Sequence, residues 1–444
     1  MLPLLTALVL GPTSASAQED PEIPFEKYEL DNGLDVILAQ DTSTPIVYVS
    51  VWYHVGSKDE TEGLTGFAHL FEHLMFQGSL SVEGEYFEPL QKVGASINGT
   101  TSFDRTNYFE GVPARHLPLA LFMESDRMGS LLPALDQAKL DEQRDVVKNE
   151  RRQRYENPPY GEAYKDMMAA LYPEGHPYHH VPIGSHEDLT AASLDDVKTF
   201  FSTWYVPNNA SLVISGDFDP MVAKRLVKEN FGGIPRGPDP VRREVQTASL
   251  SADKVIRQYD EVPEQRVWMA WHSPSFYAPG DADLDILSSL LSDGKESRLY
   301  QRLVKEKKLA RSINASQQSG LYGSRYVIQA SAAPGHSTDE VVAEVMAVLE
   351  ELQADAAPTT AEVESARAGF ERHFFENLQT IQGKGETLQS YNMFQGDPGY
   401  MKNDLARYRA VSPDTVKTWA GKVLSTPHVE LHIWPEADKP EGGE

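Results

Sequence analysis

The feature that most constrains the fold is a pattern that occurs twice along the 444 residues. In the first half, the strand-like stretch VSVWYHVGS (49–57) precedes the helix-like stretch GFAHLFEHLMFQGS (66–79). In the second half, RVWMAWHSPS (266–275) precedes DADLDILSSLLSDGKES (281–297), and the apolar residues of the two helices coincide on superposition. The repetition predicts a duplicated unit, so we expect two homologous domains.

A segment between the halves, FGGIPRGPDPVRREV (231–245), is rich in glycine and proline and lacks apolar periodicity, as is typical of a linker. We therefore predict an N-terminal domain over residues 24–235, a linker over 236–250, a C-terminal domain over 251–436 and an acidic tail over 437–444. Strands and helices alternate in both halves, which favours an α+β fold built from α/β layers.

The N-terminus predicts export. Leu2–Leu10 is a short apolar run, and Ala15-Ser16-Ala17 matches the small residues of a cleavage site, although no Lys or Arg precedes the run. Residues 1–17 are therefore predicted to be an export signal. The run is too short to span a membrane as a helix, and no later segment is a candidate. For an exported chain without cysteine, we expect a bacterial periplasm.

The formal net charge of −26 argues against nucleic acid and anionic membrane surfaces as partners, because both would repel the chain. The absence of cysteine excludes a thiol nucleophile and thiolate metal ligands. Any zinc would therefore have to be bound by histidine and carboxylate.

The polar residues of the first helix form a candidate metal site. His69 and His73 are four residues apart, so a helix places them on one face, where both can bind one metal ion. Glu72 borders the same face and can take a proton from metal-bound water. The alternative is a solvated helix face, since such a triplet also arises by chance. In the second copy the superposed residues are Asp285, Ser288 and Ser289.

A third ligand is available at long range. The helix-like stretch LDEQRDVVKNERRQRYENPPYG (140–161) contains Glu150, and catalytic zinc usually has three protein ligands and a water. Gln143 lies on nearly the same helical face as Glu150, and Glu142 is rotated from it. Either residue could orient a metal ligand as a hydrogen-bonding partner.

Three other histidines lie close together in the stretch GHPYHHVP. A histidine in a loop is more often a packing residue than a metal ligand. We therefore interpret His176, His179 and His180 as loop residues near the domain surface.

The stretch HLFEH matches the inverted zinc motif H-x-x-E-H. With this motif and with Glu150 at its spacing further along the chain, the sequence resembles the pitrilysin/insulinase family of zinc metallopeptidases. Within that family it resembles the branch of two-domain subunits similar to mitochondrial processing peptidase. The resemblance extends over nearly the whole chain after residue 17. The supporting stretches are LDNGLDVILAQD, GFAHLFEHLMFQGS, NGTTSFDRTNYFEGVP, QRDVVKNERRQRYENP, HPYHHVPIGS and WYVPNNASLVISGDFDP.

The resemblance implies a fold and a mechanism. Each domain would be a mostly antiparallel sheet packed with helices, and the two domains would form half of a clamshell chamber. One Zn²⁺ would be bound by His69, His73 and Glu150, and Glu72 would be the general base of an endopeptidase that cleaves peptides or unfolded segments. The substrate would add as a strand to the edge formed by SINGTTS, with backbone contacts to Asn98, Gly99 and Thr100.

Two positions depart from the family pattern. The family often has a glutamate where Gln143 stands. Active members also carry an arginine and a tyrosine in a stretch like REKRGLAY, and these residues help to hold the substrate across the chamber. The corresponding stretch, VKEKKLARS, reads as one residue short, with Lys305 and Arg311 at the matching places and no tyrosine.

A complete zinc motif beside a lost Arg/Tyr pair predicts a heterodimer. The partner would be a homologous subunit that lacks the zinc motif and carries the pair, and a homodimer is the second possibility. The alternatives to an active peptidase are a non-catalytic scaffold and a peptide-binding subunit. All four residues of the metal motif are intact, which favours the enzyme.

Overall fold

The computed structural model describes residues 20–82 and 84–439, so the predicted export signal lies outside the described residues. Its strands form two sheets, one in each half of the chain. The strands of the first sheet are β1 (Glu26–Glu29), β2 (Asp35–Gln40), β3 (Ile46–Tyr53), β4 (Ser96–Thr101), β5 (Thr106–Pro113) and β6 (Ala210–Gly216). The strands of the second sheet are β7 (Lys254–Asp260), β8 (Arg266–Ser273), β9 (Ala310–Gln318), β10 (Ser324–Ala332) and β11 (Val429–Pro435).

Helices cover both sheets. Those of the first half are α1 (Phe67–Leu74), α2 (Phe87–Gln91), α3 (Leu117–Ala134), α4 (Gln137–Arg151), α5 (Ala163–Leu171), α6 (His186–Ala191), α7 (Leu194–Trp204) and α8 (Pro220–Phe231). Those of the second half are α9 (Asp281–Ser292), α10 (Thr338–Gln353), α11 (Thr360–Asn377), α12 (Ile381–Gln395), α13 (Met401–Arg409) and α14 (Pro413–Leu424). π-Helical turns follow at Arg152–Glu156 and Tyr300–Glu306. Within the described part of the chain, no helix is long and apolar enough to cross a membrane.

The two sheets share one topology. The strand order is β1-β2-β6-β3-β5-β4 in the first sheet and β7-β11-β8-β10-β9 in the second. In each half the last strand runs parallel to its outer neighbour, as β6 does to β2 and β11 does to β7, and the other pairs are antiparallel. Apart from β1, the strands correspond one to one. This correspondence confirms the predicted duplication and the mostly antiparallel sheets.

Traces of the duplication remain in the sequence of equivalent elements. The residues Ser-Ile-Asn at 96–98 in β4 recur at 312–314 in β9, at the same offset that separates His69 from Asp285. Both α1 and α9 also begin after a glycine in the left-handed conformation, with φ of 91° at Gly66 and 96° at Gly280. A Cβ at Gly66 would lie 2.7 Å from the carbonyl oxygen of Ile183, so this helix start requires glycine.

α1 forms where apolar residues repeat at helical spacing, and that face is buried in the core of the first half. The polar face of the same helix points away from the core. The buried residues of this stripe are Phe67, Leu70, Phe71 and Leu74.

The two halves exchange helices. α5 of the first half lies against β8 and β11, whereas α12 of the second half lies against β2, β3 and β6. The Glu386 carboxylate on α12 accepts hydrogen bonds from the hydroxyls of Tyr48, at 2.8 Å, and Ser50, at 2.9 Å. Each sheet is therefore covered partly by a helix of the other half, which joins the halves into one body.

The segment between α8 and β7 (232–253) contains no helix or strand and runs along the first half. Arg242 forms an ion pair with Asp59 at 3.0 Å, and Arg243 donates to the backbone carbonyl of Glu60 at 2.5 Å. This course agrees with the predicted linker over residues 236–250, whose limits remain a prediction.

Candidate metal centre

α1 and α4 bring the three predicted ligands together. The Nε2 atom of His73 lies 3.1 Å from Oε2 of Glu150, and the Nε2 atom of His69 lies 3.7 Å from the same oxygen. One ligand atom from each of the three residues lies within 4.8 Å of the other two. Two imidazoles and one carboxylate are a donor set that catalytic zinc uses, so these residues fit the ion.

The surroundings of the cluster favour metal-binding protonation states. Burial, reinforced by the neighbouring His73, lowers the pKa of His69 to about 4, so this imidazole is neutral at pH 7. The hydrogen bond with His73 lowers the pKa of Glu150, so this residue is a carboxylate. A neutral imidazole and a carboxylate each have a lone pair available for a cation.

Glu72 lies beside this cluster and is held by a residue that the sequence did not predict. The hydroxyl of Thr101, the last residue of β4, donates to Oε2 of Glu72 at 2.6 Å. Burial raises the pKa of the Glu72 carboxyl, and the Thr101 hydrogen bond opposes that shift. No local sequence signal predicts this contact, because it depends on how β4 lies against α1.

A distant carboxylate holds the start of α1. Glu60 is only 2% exposed and accepts the backbone N–H groups of Gly66, at 3.0 Å, and Ala68, at 2.8 Å. His180 contacts the same carboxylate at 2.9 Å. A negative charge at a helix N-terminus stabilises the helix, so this pair fixes the element that carries both histidines.

This contact corrects the interpretation of the GHPYHHVP histidines. His176 is 8% exposed and stacks on Tyr172, with ring centroids 4.7 Å apart. His180 contacts the buried Glu60, as described above. The prediction that these residues lie near the surface is therefore wrong for His176, and it missed the role of His180 as a partner of Glu60.

The cluster opens into a cavity of about 720 Å³ that also borders the edge of the first sheet. The predicted substrate contacts Asn98, Gly99 and Thr100 all line it. The N–H of Gly99 donates to Oδ1 of Asn98 at 2.9 Å, so the side chain of an exposed neighbour occupies this backbone donor. A Cβ at Gly99 would approach Phe76 and Glu72 to 3.1–3.2 Å, so the small residue lets the strand lie close to the helix.

Gln143 and Glu142 line the same cavity. Neither forms a side-chain hydrogen bond to a metal-cluster histidine among the described residues, and Nδ1 of His69 is buried there without a partner. The structure therefore places Gln143 and Glu142 near the site without the hydrogen bond to a ligand that we expected.

Arg154 also borders the cluster and was not among the site residues predicted from the sequence. Its Nη1 atom lies 2.9 Å from Oε1 of Glu150, the carboxylate oxygen that the histidines do not face. The two residues are four apart at the end of α4, where the π-helical turn Arg152–Glu156 begins. The spacing was available in the sequence and would have predicted this ion pair.

Comparison with known proteins identifies the family to which the chain belongs. Residues 35–176 match the model of the insulinase family (peptidase family M16), and residues 191–370 match the peptidase M16 inactive domain. The zinc protease PqqE of Helicobacter pylori is 30% identical over 417 residues, which cover 90% of this chain and 91% of PqqE. This chain belongs to the insulinase family, peptidase family M16.

Other M16 proteins show how far the similarity extends. The β subunit of the mitochondrial-processing peptidase of Lentinula edodes is 25% identical over 423 residues, which cover 90% of this chain and 88% of that subunit. The crystal structure of a protease from Helicobacter pylori superposes with a TM-score of 0.85 at 27% identity and covers 94% of this chain and all of that one. The match to the inactive-domain model begins at residue 191 and includes α9, which lacks the metal triplet.

The structure corrects the comparison with the M16 stretch REKRGLAY. Lys308 has φ of 56°, in the left-handed region that favours glycine. Aligning it with the glycine of that stretch leaves no gap, so Val304 takes the place of the arginine and Arg311 that of the tyrosine. Arg311 forms an ion pair with Glu264 at 3.1 Å. The reading of this stretch as one residue short, with Lys305 at the arginine place, is therefore wrong, and both members of the pair are replaced.

Proposed function

We propose that this chain is the catalytic subunit of a zinc-dependent endopeptidase that cleaves peptides or unfolded segments. The observation that carries the proposal is the convergence of His69, His73 and Glu150 in one cavity, with Glu72 beside them and outside the ligand cluster. This arrangement supplies three ligands and a separate carboxylate base, as hydrolysis at a metal requires. Membership in a family with relatives named zinc proteases supports the same function.

A zinc ion bound by these ligands supplies Lewis acidity toward a peptide carbonyl and the attacking water. Glu72 accepts the Thr101 hydrogen bond on one carboxylate oxygen, which leaves the other oxygen to take a proton and return it to the leaving amine. Thr101 acts as a positioning residue, because its hydroxyl fixes the orientation of that base.

The edge of β4 binds the substrate backbone as an added strand in this proposal. β4 is the terminal strand of its sheet, and Asn98, Gly99 and Thr100 line the cavity beside the metal ligands. The Asn98 side chain has to rotate away from the Gly99 N–H before a substrate carbonyl can accept that donor. Asn98 is exposed, so this rotation meets little steric resistance.

The decisive experiment is the substitution Glu72→Gln in protein reconstituted with zinc. We expect full zinc content by metal analysis and a loss of peptide cleavage of at least about 100-fold, because the general base is removed while the ligands remain. Glu142→Gln is the matched control, since Glu142 lines the same cavity and forms no hydrogen bond to the proposed ligands among the described residues. Cleavage that survives in Glu72→Gln, or wild-type protein that retains no zinc, would refute the proposal.

We infer further that a homologous subunit completes the site. Val304 and Arg311 replace the arginine and tyrosine of the M16 stretch, and Arg311 is already paired with Glu264. A partner that lacks the metal motif and carries the pair would supply what this chain does not have. The relative from Lentinula edodes is likewise named as one subunit of a processing peptidase.

The partner hypothesis is tested by comparing the purified chain with the chain co-expressed with a homologue from a neighbouring reading frame. A heterodimer in gel filtration, with peptide cleavage far above that of either chain alone, is the expected result. Equal activity of the isolated chain would favour the homodimer and contradict the heterodimer.

Export to a bacterial periplasm remains part of the proposal. Cleavage after Ala17 would make Gln18 the first residue of the mature protein. N-terminal sequencing of the protein from the periplasmic fraction tests this expectation, and an intact Met1 in a cytoplasmic pool would contradict it.

A further inference from the structure

Arg154 lies at the rim of the metal cavity. Its side chain is highly exposed although it contacts a predicted metal ligand. Its side chain is 70% exposed, whereas that of Glu150, its ion-pair partner, is 17% exposed. The residue lies in the π-helical turn Arg152–Glu156, which continues α4 past the last metal ligand. Most of the guanidinium is therefore open to the cavity and to anything that enters it.

The contact with Glu150 leaves most of this guanidinium free. Nη1 binds Oε1 of Glu150, while the histidines face Oε2, so the arginine does not compete for the oxygen that points toward the ligand cluster. No other protein partner of the Arg154 side chain occurs among the described residues. A guanidinium presents a fork of N–H donors that can bind a carboxylate with two parallel hydrogen bonds.

The cavity is lined by several acidic residues and, among the described residues, by one arginine, Arg154. Among the described residues that line it, Arg154 is the sole lysine or arginine, and the acidic residues are Glu72, Glu85, Glu142 and Glu150. A carboxylate on a bound peptide is repelled by these glutamates. Apart from a bound zinc ion, it is attracted by Arg154, the one lysine or arginine among the described lining residues. Because the carboxylate is favoured at one position and disfavoured at others, the charges can select both the kind of side chain and its position along the bound peptide.

We propose that Arg154 is a specificity-determining residue that binds a carboxylate of the peptide substrate. This inference rests on the proposed function, because it assigns a substrate class to the same site. The carboxylate belongs either to an aspartate or glutamate side chain or to the C-terminus of the peptide. Because residues of an extended strand are spaced by about 3.3 Å and Arg154 contacts a metal ligand, the carboxylate lies within about two residues of the bond that is cut.

The neighbouring Arg152 offers a matched control. It lies in the same π-helical turn and is exposed, but it donates to Oδ1 of Asn149 at 2.7 Å and does not line the cavity. Replacing either arginine by glutamine removes one charge from the same turn. Only the Arg154 substitution removes a charge from the cavity.

The test measures peptide binding, so that it does not depend on turnover. Zinc-loaded full-length Glu72→Gln protein is titrated with a short neutral peptide, with versions that carry one glutamate in place of glutamine at successive positions, and with free-acid and amidated C-termini. We expect one glutamate position, or the free acid, to bind about tenfold more tightly than its neutral counterpart. Adding Arg154→Gln should reduce that ratio to about one, adding Arg152→Gln should preserve it, and zinc content should be equal in all three proteins.

Each outcome decides the inference. A ratio that disappears in Arg154→Gln and survives in Arg152→Gln supports it, and the peptide set shows whether the carboxylate is a side chain or the C-terminus. A ratio that survives in Arg154→Gln, a parent protein without preference, or a parent that binds no peptide overturns it. The cleavage comparison of wild type with Glu72→Gln does not involve Arg154, so it shows separately whether the peptidase proposal also fails.

Discussion

The metal cavity of the first half and the corresponding cavity of the second half have the same helical frame and different contents. In the first half, α1, α4 and the edge of β4 enclose about 720 Å³, and two histidines and four glutamates are among the lining residues. In the second half, α9 and α11 enclose about 910 Å³. There Asp285, which superposes on His69, accepts a hydrogen bond from the hydroxyl of Tyr408 at 2.6 Å.

The difference extends to the edge strands. Ser288 accepts the N–H of Gln317 at 3.0 Å, and Ser292 accepts that of Ala315 at 2.9 Å, so α9 occupies two donors of β9. In the first half the Gly99 N–H donates to the side chain of the adjacent Asn98, and α1 supplies no acceptor for it among the described residues. A few side chains therefore determine whether the helix beside the edge strand occupies the N–H donors of that strand or leaves them accessible.

The largest effect is expected from His73→Ala, which removes a proposed zinc ligand that has no counterpart in the second half, where Ser289 stands at the aligned position. Zinc affinity should fall by more than about 100-fold, because even residues that only support a ligand often change affinity by that factor. Ser289→Ala, at the superposed position of α9, should leave zinc content unchanged. Metal analysis after dialysis against a weak chelator measures the zinc content of both variants. Zinc retained by His73→Ala would contradict the placement of the metal site on α1.

A second prediction concerns how the two helices begin. α9 has Asp281 and Asp283 in its first turn, whereas α1 has no acidic residue there and depends on the distant Glu60. Glu60→Ala leaves buried N–H groups and His180 without their acceptor, so the free energy of unfolding should fall by about 3 kcal/mol.

Urea unfolding measures this loss, and a titration with zinc should show weaker binding because α1 carries two ligands. Glu62→Ala is the control, since this exposed glutamate lies two residues further along the same loop. An equal effect of the two substitutions would show that Glu60 does not hold the helix.

The sequence predicted the parts of this comparison that rest on periodicity and repetition. The apolar stripe of α1, the i, i+4 pair of histidines and the distant Glu150 could all be predicted from the sequence, and the structure brings the three predicted ligands together. The duplication was also readable, because each half repeats a strand and an amphipathic helix in the same order. These features follow from local spacing, which a single chain records directly.

Contacts between elements that are far apart in the sequence could not be predicted in the same way. Glu60 and His180 meet across 120 residues, and the Thr101 contact with Glu72 depends on the placement of β4 against α1. The serine bonds that close β9 depend likewise on how α9 lies on its strand. Such contacts are set by tertiary packing and leave no periodic signal.

A third prediction uses pH to separate the two cavities. Burial raises the pKa of Asp285 to about 7, well above its value of 3.8 in an unfolded chain. Because the folded state favours the protonated form, wild-type stability should fall as the pH rises from about 4 through about 7. Asp285→Asn removes this cost and should be more stable than wild type by about 2 kcal/mol at pH 8, with little difference at pH 4.

Thermal and urea unfolding across this pH range measure the difference. Asp293→Asn is the control, because it changes another carboxylate that lines the same cavity. A stability difference that does not depend on pH would mean that Asp285 does not titrate in this range.

The smallest effect is expected where α9 closes the second edge. Ser292→Ala leaves the N–H of Ala315 without its acceptor, which should cost about 1 kcal/mol and speed hydrogen exchange at that amide. Ser365→Ala, on the exposed side of the same cavity, should change neither quantity. Unchanged exchange at Ala315 would mean that the serine does not protect the edge. Faster exchange with intact zinc binding would show that the closed edge and the metal site are separable, because α9 then protects β9 without any role in the cavity of the first half.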